Sequence, residues 1–171
     1  MIDPASQALA QLDPAGMTAF LAELVRAPSV FLPGVAGANE QQAAQLVHDL
    51  LAEWGWQPLW DEVAPGRPNV VAELPGRLGP GSTLILEGHT DVVTPGDLAA
   101  WSHDPFGAEL VGRRMYGRGT ADMKGGLAAM LFAARALQLA GAPFAGTLRL
   151  LVPVDEEGLM LGVKHMVARG Q

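Results

Sequence analysis

Residues 83–91 read TLILEGHTD, and residues 147–157 read TLRLLVPVDEE. Each stretch opens with a short apolar run, which is typical of a strand buried on both faces of a sheet. Each then ends in acidic side chains or a histidine. Because ligands of open α/β sheets bind beyond the carboxyl ends of the strands, the two polar ends are expected to meet at one edge of a sheet.

The sequence around these two strands alternates between helical and strand patterns. A helix starts at Asp13-Pro14, with Asp as its cap and Pro in its first turn, and Pro28 ends it. Further helices are predicted over about residues 40–54, 124–139 and 159–168, and further strands over 57–63 and 69–74, with a hairpin around Gly112-Arg113. This alternation predicts an α/β fold of three layers, in which a mixed, mostly parallel sheet is flanked by helices.

Composition narrows the class of protein. The chain has 171 residues, of which 49% are hydrophobic and 17% charged, so one folded domain is expected. The net charge of −7 argues against a nucleic-acid partner. The N-terminus lacks the basic and apolar regions of a secretory signal, and no apolar run approaches the roughly 20 residues of a membrane span. We therefore expect a cytoplasmic protein with no membrane partner.

Three polar clusters carry the candidate chemistry, at residues 87–91, 119–124 and 155–157. The chain has no G-x-S-x-G elbow, no phosphate-binding P-loop and no H-E-x-x-H helix. Because it also has no cysteine, any metal must be held by His, Asp or Glu side chains. Imidazole and carboxylate ligands suit zinc, and a carboxylate can bridge two ions.

Spacing within the clusters suggests divided roles. Asp91 lies two residues after His89, so in an extended segment its carboxylate can accept the second ring N–H of the histidine. Glu156 and Glu157 are adjacent and point in different directions, so one can bind metal while the other transfers protons. Taken alone, each cluster has a structural interpretation: a satisfied histidine, an N-cap at Asp122, and acids in a first helical turn. The complementary ligand types of the three clusters together favour a metal site.

Three strings carry a resemblance to a known family. These are GHTDVV at 88–93, WSHDPFGAELVGRRMYGRGTADMKGG at 101–126 and VDEEG at 154–158. Their order and spacing resemble the di-zinc amidohydrolase and peptidase family that includes acetylornithine deacetylase, succinyl-diaminopimelate desuccinylase and carboxypeptidase G. The resemblance covers the chain from about Asp13 onward. It implies the catalytic-domain fold of a zinc peptidase and a homodimer for the full-length relatives.

The resemblance also implies a role for each candidate residue. His89 would bind one Zn2+, Glu157 would bind the other, and Asp122 would bridge the two. Asp91 would orient His89. Glu156 would be the general base for metal-activated water, which attacks the amide bond of an N-acyl amino acid or a small peptide. Co2+ or Mn2+ in place of zinc is compatible with these ligand types.

The chain departs from the family in length. The family's members continue with a further acidic ligand, a dimerisation or lid domain, and a second histidine ligand near their C-terminus. Residues 1–171 would therefore be the N-terminal part of the catalytic domain, without the lid domain and without the C-terminal catalytic part. Each zinc would keep two of the three protein ligands that catalytic sites usually have. The alternative function is a catalytically inert fragment that at most binds metal or a partner weakly.

Overall fold

A computed structural model of the protein describes residues 3–170. Of the predicted domain range, Met1, Ile2 and Gln171 lie outside the described residues. The helices are α1 (Pro4–Leu9), α2 (Pro14–Arg26), α3 (Gln41–Glu53), α4 (Lys124–Leu139) and α5 (Leu161–Ala168), with a short 3-10 helix at Leu98–Ala100. The strands are β1 (Leu59–Ala64), β2 (Arg67–Pro75), β3 (Thr83–Glu87), β4 (Glu109–Val111), β5 (Arg114–Tyr116) and β6 (Thr147–Val152).

Four strands form a mixed sheet in the order β1-β2-β6-β3, and β4 pairs with β5 in the predicted hairpin. The mixed sheet is confirmed, and three of its strands run in one direction while β2 is reversed. The prediction that most neighbouring strands are parallel is wrong, because β2 pairs antiparallel with both β1 and β6. The reason is local: only Pro65 and Gly66 separate β1 from β2, and a connection that short joins only antiparallel strands.

Helices cover both faces of the sheet, as the three-layer prediction requires. Alternate residues of β2 and β6 face the main core with α2, α3 and α4, namely Val70, Ala72, Leu74, Leu148, Leu150 and Val152. On the opposite face, Met166 of α5 packs against Val71 and Leu151. Among residues 3–170, no helix combines the length and apolar character needed to cross a membrane.

Strand β3 has the predicted bounds but not the predicted burial. Leu84 is 62% exposed and Ile85 is 46% exposed, so the run TLILE is not covered on both faces. In the described part of the chain β3 pairs only with β6, which leaves its other edge free. An apolar run shows that a strand can be buried, but the neighbouring elements decide whether it is.

Helix α1 was not predicted, although its start carries the same signal as α2. Asp13 caps α2 by accepting a hydrogen bond from the Gly16 amide at 2.9 Å. Asp3 caps α1 in the same way, accepting from the Ala5 amide at 2.9 Å, and Pro4 occupies the first turn. The repeated Asp-Pro pair was therefore sufficient to identify both helix starts.

Candidate metal centre

The segment after β3 continues alongside the end of β6. The Gly88 amide donates to the Leu151 carbonyl at 3.1 Å, and the Thr90 amide donates to the Pro153 carbonyl at 3.1 Å. These bonds extend the parallel pairing of β3 and β6 past the last residue of each strand. His89, which lies between them, is thereby held beside the turn that begins at Asp155.

Three predicted ligands converge at this edge of the sheet. One donor atom from each of His89, Asp122 and Glu157 lies within 4.8 Å of the other two. The His89 Nε2 atom is 3.4 Å from Oδ1 of Asp122 and 3.5 Å from Oε2 of Glu156. The histidine side chain is buried, whereas Asp122 is largely exposed. The structure thus brings together all three sequence clusters, and metal binding by these residues stays a prediction.

The predicted contact between Asp91 and His89 differs in detail. The His89 Nδ1 atom hydrogen-bonds to the main-chain carbonyl of Asp91 at 3.0 Å, while the nearest Asp91 carboxylate oxygen is 3.5 Å away. The carboxylate instead accepts from the amides of Glu156 at 3.0 Å and Glu157 at 2.9 Å. The carboxylate is therefore in ion-pair contact with the ring, as the prediction requires, but the closer hydrogen bond is to the main-chain carbonyl of the same residue. The amides of Glu156 and Glu157 compete with the ring for the Asp91 carboxylate, and the main-chain carbonyl of Asp91 is the hydrogen-bond partner of the His89 ring.

The start of α4 places Asp122. The N-cap of α4 is Met123, with no side-chain cap, so Asp122 does not have the structural role of an N-cap. Lys124 is fully buried, and its Nζ donates to the carbonyls of Leu24 at 2.7 Å and Ala27 at 2.8 Å, at the end of α2. Burial lowers the pKa of Lys124 to about 7. This anchor was not predicted from the sequence, although a lysine in the first turn of a helix opposes the helix dipole and therefore signals a specific role.

The charges of the site are unbalanced. The carboxylates of Asp91, Asp122, Glu156 and Glu157 surround a single imidazole. Burial lowers the pKa of His89, but the carboxylate and carbonyl of Asp91 and the charge of Glu156 raise it overall to about 9. Burial and the negative charge of Asp122 raise the pKa of Glu157. A divalent cation would offset this excess negative charge, and the imidazole and carboxylate donors are those that zinc and related ions bind, so the residues fit a metal.

The pKa of His89 predicts how stability depends on pH without metal. Its unfolded pKa is near 6.5 and its folded pKa about 9, so the folded state holds the proton more tightly. The contribution of His89 to stability is therefore fully present below pH 6.5 and lost as the pH rises through about 9. We expect the stability difference between the parent chain and His89→Gln to shrink by about 3 kcal/mol from pH 6 to 9.5. Urea unfolding in EDTA measures this difference, and a constant value across that range would contradict the assignment.

Comparison with known proteins identifies the family. The sequence pattern of peptidase family M20/M25/M40 matches residues 85–171, which include all five candidate site residues. This chain belongs to that family. The resemblance in the sequence strings is thereby confirmed.

Relatives of known name match most of this chain. A succinyl-diaminopimelate desuccinylase of Methylobacterium nodulans is 45% identical over 140 residues, which are 79% of this chain and 33% of that protein. The same enzyme of Rhodospirillum centenum is 43% identical over 141 residues, covering 80% and 34% respectively. The chain thus spans about a third of the length of the curated relatives it matches.

Solved structures of the family share the fold. An M20 family metallo-carboxypeptidase of Sulfolobus solfataricus is 27% identical, with a TM-score of 0.70 over 85% of this chain and 32% of that one. The dipeptidase Dug1p of Saccharomyces cerevisiae has a TM-score of 0.81 at 18% identity, over 96% and 37%. A Bacillus subtilis M20 peptidase described as dinuclear metal binding has a TM-score of 0.59 at 19% identity, over 92% and 40%. The mixed sheet with its flanking helices therefore corresponds to part of the fold of these structures.

Proposed function

We propose that this chain supplies the metal-binding and general-base part of a hydrolase for the amide bonds of N-acyl amino acids or small peptides. The observation that carries the proposal is the convergence of His89, Asp122 and Glu157, with the Glu156 carboxylate beside the same imidazole. The names of the relatives support the reaction class, because a desuccinylase and a carboxypeptidase both cleave amide bonds.

His89, Asp122 and Glu157 would hold the metal. We propose zinc, with cobalt or manganese as alternatives that the same donors accept. The Bacillus subtilis relative is described as dinuclear metal binding, which supports two ions in a complete site. By the family resemblance, Asp122 would be a ligand of both. A bound cation would supply Lewis-acid activation of the attacking water and of the amide carbonyl.

Glu156 would transfer the proton. Its carboxylate is 36% exposed and faces the ligand cluster, so it is accessible to both water and substrate. As general base it would accept a proton from the attacking water and then return that proton to the leaving nitrogen. Asp91 would keep Glu156 in place, because its carboxylate accepts the amides of both glutamates.

A cleft beside the site offers room for a small substrate. It has a volume of about 330 Å³ and is lined by the charged residues Arg67, Asp91, Asp155 and Glu157 together with several apolar side chains. This volume lies at the lower end of the usual range for ligand pockets, about 300–1,000 Å³. It suits an acyl amino acid or a short peptide better than a large substrate.

The relatives' greater length supports a division of the site. We propose that residues 1–171 form the N-terminal part of the catalytic domain, and that the remaining ligands and the lid domain belong to polypeptide outside this range. The coverage of about a third of each relative also favours the alternative, in which these residues alone are catalytically inert and at most bind metal or a partner weakly.

Cobalt titration of the 171-residue polypeptide tests the ligand assignment. We expect one bound Co2+, because three donors converge on a single place. Loss of the hydrogen-bond partner of a metal ligand typically weakens binding about 10–100-fold. Glu157→Gln removes a ligand itself and should weaken Co2+ binding by more than that. Glu156→Gln, the matched control one residue away, should keep most of the affinity. Calorimetry and the cobalt absorption spectrum report both quantities, and equal losses in the two variants would refute the division of roles.

A further inference from the structure

A second charged cluster lies beside the candidate site: two of its members, Arg67 and Asp155, line the same cleft as Glu157. It contains none of the proposed ligands. Arg67, the first residue of β2, donates from Nε to the Glu40 carboxylate at 2.8 Å, and its Nη2 also contacts that carboxylate. The same Nη2 donates to Oδ1 of Asp155 at 2.6 Å. Glu40 is 0% exposed, Arg67 5% and Asp155 7%, so the three charges are buried together.

Stability alone does not account for this triad. Removing three charges from water has a large desolvation cost, and apolar side chains of similar volume often stabilise a protein as well or better. The two carboxylates raise the pKa of Arg67, so the guanidinium stays charged, and it also lies over the ring of Phe31 at 3.5 Å. Because two carboxylates already engage it, this guanidinium is poorly suited to bind an anionic substrate. A positioning role fits the cluster, because Asp155 directly precedes Glu156 and Glu157 in the chain.

Asp155, which receives the Arg67 bond, has an unusual backbone. Its φ is +65°, in the left-handed region that a residue with a Cβ enters only when its surroundings hold it there. Its second carboxylate oxygen accepts from the amides of Leu159 at 3.0 Å and Leu161 at 3.3 Å. Gly158 leaves room for this arrangement, since a Cβ there would lie 2.8 Å from the Asp155 carboxylate and would require it to shift.

The conformation of Asp155 sets the direction of the next two residues. Glu156 and Glu157 follow it directly, and their amides donate to Asp91 on the segment after β3. The turn is therefore held from two sides, by Arg67 through the Asp155 side chain and by Asp91 through the main chain. Releasing Asp155 from Arg67 would remove one of the two supports of the glutamates.

We propose that Arg67, held in place by Glu40, is a positioning residue for the proposed proton-transfer and metal-binding glutamates. Through Asp155 it fixes the turn that presents Glu156 and Glu157 to His89. Catalytic and metal-binding side chains keep a productive geometry only when surrounding residues hold them in place. The proposal rests on the proposed function, which gives Glu156 and Glu157 their roles, but the position of the turn can be measured without any catalysis.

Amide hydrogen exchange in the metal-free 171-residue chain tests the position of the turn. In Arg67→Lys and in Asp155→Asn we expect the Glu156 and Glu157 amides to exchange about 10–100-fold faster, as loss of a hydrogen bond to a charged group implies. The fully buried core amides of Leu131 and Leu150 should keep their rates in the same samples. Arg149→Lys is the matched control, because Arg149 binds Glu73 across the same sheet in an exposed pair.

Cobalt affinity provides a second readout on the same variants. We expect Arg67→Lys and Asp155→Asn to weaken Co2+ binding about 10–100-fold, and Arg149→Lys to leave it unchanged. If the parent chain binds no cobalt, the assignment of His89, Asp122 and Glu157 as a sufficient ligand set fails, while the exchange result still decides the positioning role. Exchange that rises equally at Leu131 and Leu150, or that stays unchanged at Glu156 and Glu157, would overturn the proposal.

Discussion

No hydrolysis of N-acetyl amino acids above the free-metal blank is the expected result when excess zinc or cobalt is added to the purified 171-residue polypeptide. The reason is the number of ligands. The described residues bring together three candidate donors, His89, Asp122 and Glu157, whereas a two-metal site needs about three protein ligands for each ion. Asp122 would be shared, so weak binding of one ion also weakens the other.

Glu156 cannot compensate for incomplete metal binding. Water without a bound cation keeps a pKa of about 15.7, compared with about 7 when a metal ion activates it. A general base alone contributes about 10²–10⁴-fold, which is too little to cleave an amide at a useful rate. The expected loss relative to a complete enzyme therefore amounts to many orders of magnitude.

A panel of N-acyl amino acids, assayed with and without the protein, measures this prediction. The Glu156→Ala variant is the control, because it keeps the proposed ligands and removes only the proposed base. Robust turnover in the parent chain that disappears in Glu156→Ala would contradict the prediction. It would show that residues 1–171 are sufficient for catalysis.

The second large effect is expected from Arg67→Met, which should lower the free energy of unfolding by about 3–5 kcal/mol. Methionine fills similar space but leaves Glu40 and Asp155 as two buried carboxylates without a cation. Domains are typically stable by only about 5–15 kcal/mol, so this loss removes a large fraction of the total.

Arg149→Met is the matched control for Arg67→Met. Arg149 is 28% exposed and Glu73 47% exposed, and exposed ion pairs contribute about 0–1 kcal/mol. Guanidinium unfolding of both variants, in EDTA, compares the two arginines on neighbouring strands of one sheet. Similar losses in the two variants would show that burial of the Arg67 cluster has no particular energetic weight.

Local sequence signals were sufficient for most elements and for the candidate ligands. Capping residues and hydrophobic periodicity depend on neighbours a few positions away, so the helices after Asp13 and at Lys124–Leu139 were predictable. His89, Asp122 and Glu157 were also recognisable, because each lies directly after a strand or before a helix within a distinctive string. The rule that polar strand ends meet at one edge predicted that His89 and Glu157 lie close together, whereas the place of Asp122 came from the family resemblance.

Interactions between distant residues were not predictable in this way. The bond from Arg67 to Glu40 spans 27 positions and the bond to Asp155 spans 88, and neither arginine nor acid stands in a pattern that marks it as buried. The Asp91 carboxylate lies close to His89 in the sequence, yet it binds the Glu156 amide 65 residues away. Only the folded chain decides which donors compete for one acceptor.

The sequence by itself determined the approximate positions of most strands and helices. It also provided the hypothesis about which side chains bind a cation and which transfers a proton. These properties depend on residue type and on short spacing. The tertiary structure alone decided that β3 is exposed, that Asp91 accepts the amides of the two glutamates, and that Arg67 binds Asp155. Burial and hydrogen-bond partners depend on which elements lie adjacent in space, and that information is distributed over the whole chain.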